Sequence, residues 1–326
     1  MISVIIPAFN AAKRIAACLE SVISQNYADI EIIVVDDYSC DDTGKIAREI
    51  LDASGRKFRV ITNDRNRGVS AARNTGIDVS QGKYICFVDA DDVIRENFVS
   101  CLHDVILSRE CDISFCGFVD RFTDGRSDAD IVPADGEEIS CGEDFILCGN
   151  IPAVWACMYG AEFLRRNNLR FTEGCSSGED IDFITRALCR AESVSFVREC
   201  LYIYMHHPEM GSVRDNDTFS KQITRYGHNT IAQKHTAEYL CEYAKSCELR
   251  EIAGRILLPQ SVIRRLNLAA MKRNWAEYDS VLRDGEAMKI LRRGICFFTL
   301  RRKPEVFMKA VMIMIMPGIY YGVRKG

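Results

Sequence analysis

The sequence predicts an α/β protein, a mostly parallel sheet flanked by helices and followed by a helical C-terminal region. Three observations carry this. Short apolar runs alternate with amphipathic stretches three times before residue 89, the order of a doubly wound sheet. The next run, Tyr84-Ile85-Cys86-Phe87-Val88, stops in Asp89-Ala90-Asp91-Asp92. Three carboxylates cannot share that strand's burial and must sit at its carboxyl end, where open α/β sheets place their ligands. From about Asp217 onward the pattern is almost wholly helical, with few glycines or prolines until the end.

Taken in order, residues 3–6 form the first strand, which Pro7-Ala8-Phe9-Asn10 ends, because proline removes a ladder donor and asparagine favours turns. Ile15, Cys18, Leu19, Val22 and Ile23 recur at helical spacing, the stripe of a helix lying on a sheet. Residues 30–35 are the second strand, stopped by Asp36 and Asp37. Ser39 and Asp42 have capping-box spacing for a helix through Leu51. Residues 58–62 make a third strand and 63–68 a polar loop. A helix over 69–79 follows, whose alanines permit close approach to the sheet. Beyond the acids come a helix stripe (Phe98, Leu102, Val105, Ile106), a strand at 112–119, and a polar stretch at 120–138 with a turn at Asp124-Gly125. Ser140 and Glu143 again have capping-box spacing. A strand at 154–159, a glycine-containing loop at 171–178 leading into Glu179-Asp180, and strand-like runs at 193–197 and 201–205 complete this part.

With 326 residues, 48% hydrophobic and 27% charged, the chain holds one sizeable core plus an appended region. A formal net charge of −4 gives no reason to expect nucleic acid as a partner. From Lys289 to the end there are nine Lys and Arg against one acid, Glu305, so this tail carries +8 and the rest −12. Such asymmetry suits attraction to an anionic membrane surface. Uncharged residues 310–322 are too few to span a bilayer, which takes ~20. Two readings of the tail stay open, an interfacial anchor and a core-packing terminal helix. Fifteen scattered cysteines, an odd number without a C-x-x-C, are expected to be reduced and mostly buried. The N-terminus enters a strand without the regions of a signal peptide. Both features predict a cytoplasmic protein, peripheral on the membrane's inner face if the tail is an anchor.

Strands that are neighbours in a doubly wound sheet send their following loops to one crevice, which collects residues 7–10, Asp36, Asp37, Asp89 and Asp91. Close carboxylates repel unless a cation offsets them, and hard oxygen ligands suit Mg²⁺ or Mn²⁺. Alone, the acidic tripeptide reads rather as a solvated turn capping the next helix, and the rest of the chain overturns that reading. No G-x-G-x-x-G follows the first strand and no P-loop motif occurs, which argues against a dinucleotide enzyme and a P-loop NTPase.

Five segments in order, residues 3–10, 33–39, 66–74, 82–92 and 178–180, resemble the inverting family 2 glycosyltransferases of GT-A fold over roughly the first two hundred residues. The resemblance implies a nucleotide-sugar-binding and catalytic domain at 1–215, its acceptor part at about 112–215, and a helical C-terminal region at 216–326. It implies transfer of a sugar, with inversion, from a UDP-linked donor to a hydroxyl of a surface glycan or lipid-linked acceptor. Pro7, Ala8, Phe9, Asn10 and Asp37 fall where the family holds base and ribose, with Asp37 accepting from the base. Asn66 and Arg73 border the nucleotide. Asp89 and Asp91 match the D-x-D, with Ala90 between them against the nucleotide, Asp91 on the metal, and Asp89 on the ribose or a metal-bound water. Glu179 and Asp180 match the catalytic acids, and the family pattern favours Asp180 as base. The alternative for both is that they complement the helix dipole. His206 and His207, ahead of Gly211-Ser212, resemble a segment folding over the diphosphate, either histidine serving as a metal or phosphate ligand. Trp155 falls in the acceptor region, where it stacks on a sugar or packs as a core aromatic.

The physical logic agrees with these positions. A leaving diphosphate must be neutralised, which a divalent ion does, and direct displacement needs a base for the attacking hydroxyl. Two rivals remain. A nucleotidyltransferase is opposed by the absence of glycine from Pro7 to Lys13, and a non-catalytic sugar-nucleotide-binding protein by the Glu179-Asp180 pair. Donor sugar, linkage and oligomeric state stay open.

Overall fold

A computed structural model describes residues 1–124, 126–133, 139–207 and 219–315. The chain forms two compact units, Met1–Asn216 and Asp217–Gly326.

The first unit is built on β1 (Ile2–Ala8), α1 (Ile15–Ile23), β2 (Ile30–Asp36), α2 (Thr43–Asp52), β3 (Lys57–Thr62), α3 (Val69–Val79), β4 (Tyr84–Phe87), β5 (Val93–Ile94), α4 (Phe98–Ser108), β6 (Ile113–Phe122), β7 (Ala129–Ile131), β8 (Ile139–Ser140), α5 (Gly142–Cys148), β9 (Cys157–Gly160), α6 (Ala161–Arg166), α7 (Glu179–Arg190) and β10 (Val194–His206). The sheet order is β3-β2-β1-β4-β9-β6-β10-β5. Strands β1 to β4 pair in parallel. β9 runs antiparallel to both β4 and β6, and β10 parallel to β6, so β4, β6 and β10 all point one way. Every residue of β1 and β2 is buried, as expected of apolar strands covered on both faces.

Local chemistry explains where the elements differ from expectation. Pro7 lies inside β1, opposite Val35. The Ala8 carbonyl accepts from Asp37 N on the β2 side, so the position of Pro7's missing N–H faces the other side, beyond the point where pairing with β4 ends at Ile5. Neither capping box forms. The Ser39 hydroxyl accepts from Asn10 N at 2.9 Å instead, and α2 starts at Thr43 without a side-chain cap. Ser140 belongs to β8, and α5 likewise lacks a side-chain cap. The run at 154–159 begins as a 3₁₀ turn, Val154–Ala156, before β9. Residues 193–197 and 201–205 are one strand, β10, irregular around Cys200. Helix α3 approaches the sheet closely because Gly76 has no side chain: a Cβ there would lie 2.3 Å from Ile5 Cγ2. Antiparallel β6 and β7 pair across Phe118–Ile131 to Asp120–Ala129, while Gly125 of the expected turn lies outside the described residues.

The second unit contains α8 (Phe219–Tyr243), α9 (Cys247–Ile252), α10 (Leu258–Met271), α11 (Trp275–Arg283), α12 (Gly285–Arg293), α13 (Phe297–Arg302) and α14 (Pro304–Ile315). A π turn, Ala253–Leu257, joins α9 to α10 just ahead of Pro259, where the missing proline N–H would interrupt a regular α ladder. Ser246, Asn274 and Asp284 cap α9, α11 and α12 with their side chains. Its own core includes Ile263, Leu266, Tyr278, Leu291, Val306 and Ile313. No helix of the described residues is long and apolar enough to cross a membrane. The tail residues from 316 onward, and Gly211-Ser212, lie outside the described residues.

Candidate active site

The sheet topology places the carboxyl ends of β1, β2 and β4 together, with β1 between the other two. Two loops are laced across this edge. The Asn10 side chain accepts from Cys40 N at 2.9 Å, Ala11 N donates to Thr43 Oγ1 at 2.8 Å, and Ala12 N to Asp41 Oδ2 at 3.1 Å. Asn10 and Tyr38 hold positive φ in these turns, 50° and 65°. Phe9 is 48% exposed and lines the cleft, an apolar ring outside the core.

A cleft of about 290 Å³ opens at this edge, lined by Pro7, Phe9, Asn10, Ala11, Arg14, Val69, Arg73, Asp89, Ala90, Asp91 and Glu179. The acids of the turn after β4 have separate fates. Asp89 Oδ1 accepts from Arg73 Nη2 at 2.7 Å. Asp92 is wholly buried, accepting from the Tyr202 hydroxyl at 2.7 Å and Met205 N at 2.8 Å. It ties the turn to β10 and does not cap α4. Burial, then Asp91 and Asp89, hold its carboxyl well above the usual range. Asp91 is pushed up to about 6, first by burial and then by the charge of Asp89, with Arg14 and Arg73 pulling the other way.

Across the cleft, α7 begins after Gly178, whose φ of 83° makes glycine the residue that turns the loop into the helix. Glu179 is buried on the cleft wall and its Oε2 has no partner. Burial raises its pKa, Arg73 opposes, and Asp180 and Asp89 add to the rise. Asp180, half-exposed, is absent from the wall and accepts from Ile181 N at 2.8 Å. Arg73 is buried, its Nε and Nη1 unpartnered, its guanidinium 5.1 Å from the Phe171 ring centroid. Burial works against its charge but Asp89, with Glu179 and Asp180 behind it, holds its pKa above the ordinary value.

The remaining expected residues stand apart from this wall. The Asp37 carboxylate faces its own loop, accepting from Asn63 Nδ2 at 2.7 Å, Arg67 N at 3.0 Å and Gly68 N at 2.6 Å. Asn66 is exposed in that loop. His206 Nε2 bonds Asp120 Oδ1 at 2.8 Å and its ring stacks on Phe122. His207 follows β10, half-exposed. Trp155, half-buried, stacks on Tyr202 and Tyr204 with centroids at 4.3 and 5.4 Å and meets Phe118 edge-on at 4.8 Å, packed as an aromatic at the margin of the core. Arg14 and Tyr202 were not singled out by the sequence. Arg14 precedes a helix, where a cation is unfavourable to the dipole, and that mismatch is the one local signal it carries. Tyr202 shows only as one aromatic in a strand.

The arrangement can bind a phosphorylated ligand and offset its charge. Arg73 presents unpartnered donors, and the incompletely neutralised Asp91 with the unpartnered Glu179 oxygen fits a hard divalent cation or hydroxyl donors.

Residues 3–138 match the family model described as Glycosyl transferase family 2. Among curated relatives, the chain is 35% identical over 217 residues to the uncharacterized glycosyltransferase EpsJ of Bacillus subtilis, covering 64% of this chain and 62% of that protein. It is 37% identical over 93 residues to the Escherichia coli protein named UDP-Glc:alpha-D-GlcNAc-diphosphoundecaprenol beta-1,3-glucosyltransferase WfgD, covering 28% and 36%. The chain thus spans less than two thirds of the length of these relatives. Among solved structures, S. aureus TarS 1-349 in complex with UDP-GlcNAc is similar in fold, with a TM-score of 0.74 at 19% identity over 99% of this chain and 90% of that one.

Proposed function

We propose that the first unit is a glycosyltransferase family 2 domain, and that the chain transfers a sugar from a uridine diphosphate donor, with inversion, to a hydroxyl of a glycan or lipid-linked acceptor. The observation that carries the reading is the cleft itself: Arg73 donors and the Asp89-Asp91 turn on one wall, Glu179 of α7 on another. The donor is supported by TarS, whose structure holds UDP-GlcNAc, and the acceptor class by WfgD, whose name specifies a diphosphoundecaprenol-linked sugar.

Asp91, assisted by Asp89, would hold Mn²⁺ or Mg²⁺, and the ion would supply charge to neutralise the leaving diphosphate. A Mn²⁺-bound mannosyltransferase of similar fold, from Pyrobaculum calidifontis, supports this. Pro7, Phe9 and Asn10 form the floor for base and ribose, with Asp37 holding the bordering loop, Asn66 included. The Glu179 oxygen accepts from hydroxyls of the donor sugar. Asp180, the more exposed acid, takes the proton of an acceptor that arrives from solvent. His206 is held by Asp120 at the end of β10, with His207 next in the chain, and we assign neither a ligand role. An unpartnered buried carboxylate on the wall favours an enzyme over a passive binding protein.

In the second unit, Arg301 and Lys303 are exposed, Arg302 pairs with Glu248, and Leu300 (40%) and Met308 (52%) are exposed in the same stretch of chain, a basic and apolar composition suited to anionic lipid. We place the protein on the cytoplasmic side of the membrane for this reason, where its acceptor would reside.

Thermal stabilisation by nucleoside diphosphates, each with and without Mn²⁺, tests the donor site. A shift with UDP that requires Mn²⁺ and disappears in Asp91→Ala is expected, and no shift with any nucleotide in folded protein overturns the reading. Asp180→Asn is expected to lower turnover at least ~10²-fold with UDP binding retained. Undiminished turnover in that variant removes Asp180 from the role.

A further inference from the structure

The Asp89–Asp92 turn is held by a chain of hydrogen bonds through Tyr202 and Asp92, neither of which lines the cleft. Asp89 N donates to the Tyr202 hydroxyl oxygen at 3.1 Å, the hydroxyl donates to Asp92 Oδ2 at 2.7 Å, and Met205 N donates to Asp92 Oδ1 at 2.8 Å. Asp92 N closes the turn on Asp89 O at 3.0 Å. Both side chains are wholly buried, and Tyr202 is wedged against Trp155 (4.3 Å) and edge-on to Phe98 (6.1 Å), which leaves the phenol no alternative direction.

The consequence falls on Asp91. Asp89 is fixed at its carboxylate by Arg73 and at its amide by Tyr202, and Asp92 at both oxygens, so the turn that carries Asp91 is pinned at its two ends. Among the described residues, no other side chain donates to the Asp91 carboxylate itself. We propose that Tyr202 and Asp92 are a positioning pair, whose task is to present Asp91 to a divalent cation under the donor diphosphate. This rests on the reading of the cleft given above. Burying a carboxylate and a phenol is costly unless both are bonded, and here each satisfies the other while fixing the turn. Groups behind a metal ligand act by orientation, and losing one typically weakens metal affinity roughly 10- to 100-fold.

The test separates positioning from mere structural support. Mn²⁺ binding, read by electron paramagnetic resonance of free Mn²⁺ in the presence of UDP, is measured for wild type, Tyr202→Phe, Asp92→Asn and the double variant, each shown to be folded by circular dichroism. Tyr202→Phe alone leaves a buried Asp92 oxygen without its donor, and the double variant carries no ionisable group at residue 92 and keeps an acceptor for Met205 N. Stability is therefore expected to fall in the single variant and recover in the double one. Mn²⁺ affinity is expected to stay roughly tenfold or more below wild type in both, because neither can hold Asp89 N through a phenol bonded to residue 92. If Tyr202→Phe does not fold, the double variant decides alone. Affinity that recovers along with stability, or never falls, overturns the proposal. Wild-type protein that binds no Mn²⁺ with UDP overturns the reading of the cleft, and the positioning role with it.

Discussion

Asp91→Asn should stabilise the cation-free protein at neutral pH while abolishing its response to Mn²⁺ and UDP. Burial, followed by the Asp89 charge, lifts the Asp91 carboxyl from its ordinary 3.8 to about 6. Ionising it in the folded state therefore costs about 3 kcal/mol more than in the unfolded chain. The folded pKa lies above the unfolded one, so the penalty is fully present above about pH 6 and fades as pH falls toward 4. Asparagine carries no charge and escapes it, although its amide must still be desolvated, so ~3 kcal/mol is an upper bound. For a unit of this size that corresponds to roughly 6–12 °C in Tm. Calorimetry of metal-free wild type and variant at pH 8 and pH 4 measures it. The variant should melt higher at pH 8 and level with wild type at pH 4, and Mn²⁺ with UDP should then raise only the wild type. Equal Tm values at pH 8, or a gain of the same size at both pH values, would refute the charge argument.

Three further outcomes follow from single contacts. Arg73→Met leaves Asp89 without its guanidinium and should destabilise the first unit by about 1–3 kcal/mol in urea titration, less than for a fully buried pair because Asp89 keeps 23% exposure. Asp37→Asn cannot accept from Asn63, Arg67 and Gly68 together, so tryptic cleavage at exposed Arg65 and Arg67 should accelerate severalfold before any global unfolding. Gly76→Ala drives a methyl into Ile5 Cγ2 and should cost about 1–3 kcal/mol by forcing α3 off β1, measured as a fall in Tm.

The sequence by itself determined the fold class, because alternating strand and helix periods with acids at strand ends admit few topologies, and it marked the Asp89 turn as the place where apolar burial must stop. Convergence of Pro7, Phe9, Asn10, Asp89 and Asp91 on one edge follows from parallel topology alone. What each acid does there was decided only by tertiary structure. Asp37, Asp89, Asp91 and Asp92 are the same residue type in similar local settings, yet one braces a loop, one pairs with Arg73, one faces the cleft and one is buried under Tyr202. The partners that separate them lie as far as 113 positions along the chain. A carboxylate's role is set by which donors surround it, and donors that distant are brought together by packing, which no local pattern records.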